Sequence, residues 1–185
     1  MKLSRITLGT AQLTSSYGVA NTKVYASSSE SPSSLLALAC NAGIAAVDTA
    51  PSYGDSESAI GRFIAERDAK SLLVCTKLPS ATQQGVSLSD IGHYVDENLR
   101  NSLARLGRVD YYLLHDSADL FKYGRHLEKA LRTIKECGFV DHVGVSVYDT
   151  EELDLFERYP LFDAIQFPAN IFDHRFLAEN IGGFI

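Results

Sequence analysis

Four residues in this sequence have side chains that together suit proton delivery to an oxygen: Asp48, Tyr53, Lys77 and His115. Asp48 follows the apolar run "AAV", Lys77 closes "LLVCTK" and His115 closes "VDYYLLH". Tyr53 stands five residues beyond Asp48, in a loop of Pro, Ser, Gly and Asp. A phenol titrates at about 10 and is a poor acid at neutral pH unless its anion is stabilised. A nearby lysine ammonium stabilises it by favouring the charged form. The lysine needs an anionic partner to hold it while partly buried, and Asp48 supplies one. His115 can donate a hydrogen bond to a substrate oxygen and fix its orientation. The set makes a proton donor aimed at an oxygen that gains charge, as in reduction of a carbonyl. One charged strand end has plainer explanations, such as a helix cap or a rim salt bridge. Three on successive strands point to a site.

These positions require a fold that brings strand ends together. Short apolar runs alternate with helix-period segments throughout. The strands are expected at "ITLGT", "AAVDTA", "LLVCTK", "VDYYLLH", "HVGVSV" and "FDAIQF". Ser31 and Pro32 form an N-cap and first-turn proline before Leu35, Leu38, Ala39 and Ala42. Ile60, Phe63 and Ile64 stripe the next helix. Ile91, Val95, Leu99, Leu103 and Leu106 mark a longer one that Gly107 stops. Leu127, Ala130, Leu131 and Ile134 mark a fourth, ended by Gly138, and "DTEE" at 149–152 reads as a capping box. A last helix is expected to start around 174–180.

Strict alternation implies parallel strands with right-handed crossovers, buried on both faces. An open doubly wound sheet is disfavoured because no GxGxxG follows the first strand. The pattern favours a (β/α)8 barrel, whose active sites lie at the C-terminal ends of the strands. Only about six of its eight units are present, so residues 1–185 are expected to form a single incomplete barrel domain. Of Tyr111 and Tyr112, one is expected to face the barrel interior and the other a helix. Tyr17 and Gly18 are candidates for the substrate mouth or a plain surface turn.

Composition excludes several function classes. The chain has 185 residues, 45% hydrophobic and 22% charged, the balance of a soluble globular protein. Its net charge of −6 shows no basic stripe, so neither nucleic acid nor membrane is an expected partner. Cys40, Cys75 and Cys137 show no ligand spacing and read as reduced, buried thiols. His93, His126, His142 and His174 also lack ligand spacing, and no metal site is expected. No apolar run approaches the roughly 20 residues of a membrane span, and "MKLSRITLGT" has no secretory h-region. A cytoplasmic location is expected.

The segments "LGTAQL", "DTAPSYG", "TK", "LARLGRVDYYLLH", "VGVSVYD" and "IQFPANIFD", in this order, resemble the aldo-keto reductases over nearly the whole chain. The resemblance implies a (β/α)8 barrel that binds NADPH in an extended pose without a Rossmann fold. Hydride would pass to a small-molecule carbonyl substrate, an aldehyde or ketone, as Tyr53 gives the proton. Asp48, Tyr53, Lys77 and His115 match the family's tetrad position by position. Gly9, Thr10 and Ala11 match the turn near the nicotinamide, and Ser146 and Gln166 match residues that hold its carboxamide. Val147 stands where the family often has asparagine. The seventh and eighth strands, with the residues that stack on the nicotinamide and grip the 2′-phosphate, have no counterpart. The chain is therefore expected to be C-terminally truncated, with unpaired barrel edges open to self-association.

Two alternatives stand beside the NADP-dependent reductase. One is a barrel lyase with Lys77 as Schiff-base nucleophile, disfavoured because Asp48 is placed to pair with it and no second lysine is near. The other is a non-catalytic or inactive truncated barrel that serves as a binding or regulatory fragment, or is a remnant.

Overall fold

In the computed structural model, residues 6–14 and 31–178 are described. Six strands alternate with six helices: β1 (Leu8–Gly9), α1 (Pro32–Asn41), β2 (Ala46–Asp48), α2 (Ser56–Arg67), β3 (Leu73–Leu78), α3 (Ile91–Leu106), β4 (Tyr111–Leu114), α4 (Ala118–Glu136), β5 (His142–Ser146), α5 (Asp154–Arg158), β6 (Ala164–Gln166) and α6 (Arg175–Ala178). All neighbouring strands pair in parallel, in the order β1-β2-β3-β4-β5-β6. Strand order that follows chain order, without the reversal of a doubly wound sheet, is barrel topology. The sheet is a curled six-strand half-barrel. Tyr17 and Gly18 lie outside the described residues.

Local chemistry sets most element ends. The Ser31 side chain accepts from the Ser34 N–H while Pro32 opens α1. Gly107 ends α3 at φ 81°, its N–H returning to the Leu103 carbonyl. The capping box of Asp149 and Glu152 is present, but it opens a 3-10 turn (Thr150–Leu153) before α5 begins. α4 starts well before the apolar stripe at Leu127, and Gly124 breaks it with φ 48° and ψ −124°.

Alternation along each strand separates two faces. Val47, Val74, Tyr112, Leu114, Val143 and Val145 point outward and are at most 1% exposed beneath the helices. Tyr111 lines the interior instead, as expected for one of the pair. The thiols differ from expectation. Cys137 is exposed just past α4, and Cys40 and Cys75 are only partly buried.

Candidate active site

The catalytic candidates sit where the parallel strands end. Asp48 is the last residue of β2, in register with Gly9 of β1 and Cys75 of β3. Lys77 lies one residue from the end of β3 and is 2% exposed. His115 follows β4 directly, its backbone N–H donating to the Leu78 carbonyl at 3.1 Å. Tyr53 is held by its own turn. Its N–H donates to the Ala50 carbonyl at 3.0 Å, and its carbonyl accepts from Ser56 N–H at 3.2 Å and Thr14 Oγ1 at 3.2 Å. Gly54 next to it has φ 61°, a conformation that suits glycine.

The structure brings all four together. Lys77 Nζ lies 2.6 Å from Asp48 Oδ1 and 3.1 Å from the Thr49 carbonyl oxygen. An ammonium has three donors, and these two acceptors fix its direction. It lies 5.4 Å from the centroid of the Tyr53 ring. The Tyr53 and His115 rings meet edge to face, centroids 6.3 Å apart at 88°. Burial, then the Lys77 charge, pushes the His115 imidazole below its ordinary range, with Asp48 and Asp116 pulling the other way. The ring is therefore neutral at pH 7, with one nitrogen able to donate. Burial and then the Asp48 carboxylate push the pKa of the Cys75 thiol well up, which disfavours its thiolate.

A cavity of about 550 Å³ opens on the inner face of the sheet, lined by Gly9, Asp48, Cys75, Tyr111, Leu113 and Gln166 among others. A groove of about 590 Å³ between α3 and α4, lined by residues including Ile91, His126 and Phe139, contains none of the four.

The family model of the "Aldo/keto reductase family" matches residues 5–181. The chain belongs to the aldo-keto reductases. An aldo-keto reductase of Mycobacterium avium is 39% identical over 133 residues, which are 69% of this chain and 42% of that protein. The matched stretch thus spans less than half the length of this relative. The holo form of an aldo-keto reductase from Bacillus halodurans superposes with a TM-score of 0.74 at 21% identity, over 98% of this chain and 59% of that one. A structure determined in complex with NADPH shares the fold at a TM-score of 0.55 and 21% identity, over 71% of this chain and 46% of that one.

Against the aldo-keto reductase pattern, Ser146 and Gln166 are register partners at the ends of β5 and β6, and Ser146 Oγ donates to Gln166 Oε1 at 3.2 Å. Gly9 is exposed, and a Cβ built there meets nothing within 4 Å. Ala11 is half-buried in the turn after β1. Thr10 is 1% exposed, and both its N–H and its hydroxyl donate to the Asp48 carbonyl, at 3.0 and 2.9 Å. Its visible role is to hold the strand end that carries Asp48. Val147 packs into the core at 1% exposure. Among the described residues no cluster of His, Cys, Asp and Glu could hold a metal ion, and no helix is long and apolar enough to cross a membrane. Sequence reasoning missed the Thr49 carbonyl as the second acceptor for Lys77. Every residue carries a carbonyl, so no side-chain signal marks it.

Proposed function

We propose that the protein catalyses NADPH-dependent reduction of an aldehyde or ketone to an alcohol, with Tyr53 as proton donor. The observation that carries this reading is the buried Lys77 ammonium, fixed on Asp48 at 2.6 Å and standing 5.4 Å from the Tyr53 ring. The positive charge stabilises phenolate as the proton leaves, and Asp48 and the Thr49 carbonyl keep the charge in place. Neutral His115, edge to face with the phenol ring, donates to the substrate oxygen and orients it for the transfer.

The residues on the inner face fit a nicotinamide. A hydroxyl and an amide, Ser146 and Gln166, can together satisfy a carboxamide's carbonyl and NH₂, and the open space at Gly9 admits a flat ring. Gly9, Thr10, Ala11, Ser146 and Gln166 would hold it, and the fold neighbour solved with NADPH supports that choice of cofactor. When bound, NADPH supplies the hydride.

The test is stoichiometry and pH dependence. Each NADPH consumed, followed by its absorbance, should yield one alcohol from an aromatic aldehyde probe. Lys77→Met should lower kcat and displace the pH profile. A variant that only raises KM, with the profile unmoved, would remove Lys77 from the proton transfer.

A further inference from the structure

Behind the catalytic strand lies a second buried charge that the proposed mechanism does not use. Glu57 is in the first turn of α2, four residues after Tyr53, and is 1% exposed. Its Oε1 accepts from Thr76 Oγ1 at 2.6 Å, and its Oε2 accepts from Arg105 Nε at 2.6 Å. Thr76 is fully buried on the outer face of β3 and directly precedes Lys77. Arg105 lies in the last turn of α3. One helical turn past Glu57, a Cβ at Gly61 would stand 1.9 Å from the Arg105 carbonyl oxygen, so α2 and α3 meet backbone to backbone there.

Burying a carboxylate costs several kcal/mol before its partners offset it, and well-packed apolar side chains would hold α2 on α3 at least as firmly. What the carboxylate adds is direction. It ties the start of α2, and so the turn that presents Tyr53, to the residue next to Lys77. We propose that Glu57 is a positioning residue that clamps the Tyr53 loop to the Lys77 strand and thereby fixes the separation of phenol and ammonium. The inference rests on Tyr53 being the proton donor. It acts through the backbone of both elements, since Glu57 lies outside the barrel interior. Charge stabilisation of the phenolate falls with distance, and misplacement by about 1 Å can cost about a hundredfold in rate.

The experiment uses the full chain in four variants, Glu57→Gln, Thr76→Val, Thr76→Ser and Tyr53→Phe. It measures kcat, the KM for NADPH and for an aromatic aldehyde, and a crystal structure of Thr76→Val. The clamp predicts that Glu57→Gln and Thr76→Val lose about ten- to a hundredfold in kcat with both KM values within about twofold. Thr76→Ser, which keeps the hydroxyl, should be close to wild type. In the Thr76→Val structure, Lys77 should remain on Asp48 while its distance from the Tyr53 ring departs from 5.4 Å. An unchanged distance with unchanged kcat overturns the clamp. If Glu57→Gln does not fold, the Val and Ser pair at Thr76 decides alone. Full turnover in Tyr53→Phe would instead overturn the assignment of the acid, and the distance in Thr76→Val would still report on the clamp.

Discussion

The two faces of the sheet are built to different standards. Outward-facing Val74, Tyr112 and Leu114 are completely buried, each roofed by a helix that its own βα unit or a neighbour provides. Inward-facing Leu73, Cys75 and Tyr111 stay partly exposed around the cavity of about 550 Å³. An outward side chain needs only the nearest helix. An inward one depends on its neighbours within the open arc of the six described strands, which cover Leu113 to 3% exposure but leave Leu73, Cys75 and Tyr111 half-buried. The polar tetrad sits at the rim of this looser face. Lys77 is nevertheless 2% exposed, because Asp48, Thr49 and the Tyr53 loop enclose it locally. The site is thus organised by its own loop and strand ends.

The contrast predicts unequal costs for similar truncations. Leu114→Ala on the outer face should lose about 2–5 kcal/mol in urea unfolding, the range for a buried leucine that leaves a cavity. Leu73→Ala on the inner face should lose about 1 kcal/mol, because solvent already reaches that side chain. Equal losses would erase the distinction. Glycines sharpen it. Gly61→Ala forces a methyl against the Arg105 carbonyl and should cost at least about 1–3 kcal/mol, whereas Gly9→Ala, facing open space, should leave stability nearly unchanged.

A smaller effect follows from His115. Its folded pKa lies below the ordinary value, so the unfolded chain binds the proton first as pH falls. Its contribution is intact above about 6.5, the unfolded value, and declines as pH drops from there towards the folded value. His115→Gln should flatten that stretch of the stability–pH curve, and an unchanged slope would mean the imidazole charges freely in the fold. The mildest test uses thiols. Maleimide at pH 7.5 should label exposed Cys137 within minutes and leave Cys75 unmodified in the folded protein, where burial holds its thiol protonated. Rapid loss of Cys75 would show an inner face more open than described.

Much of this was readable from residue order. Asp48, Lys77 and His115 stood out because three polar residues close successive apolar strands, and chain order alone puts successive strand ends side by side in a barrel. Ser31 and Gly107 marked helix ends through capping chemistry. The early start of α4 was hidden because Gly124 interrupts the helical period. Thr10 matches a cofactor-contact position, and its hydroxyl also donates to the Asp48 carbonyl, a second role that no side-chain pattern in the sequence marks. Glu57 was invisible for another reason. A glutamate in the first turn of a helix is ordinarily a solvated residue that favours the helix dipole, and only the packing of α2 on α3 turns it inward.

The central claim is that Tyr53 delivers the proton, and one comparison tests it most directly. Wild type and Tyr53→Phe would be measured side by side for reduction of an aromatic aldehyde by NADPH and for NADPH affinity by fluorescence titration. The account predicts loss of kcat by about a thousandfold or more, since the variant lacks the acid and not just its alignment, with cofactor affinity within about twofold. Turnover near the wild-type rate in Tyr53→Phe, with cofactor bound equally well, would contradict it.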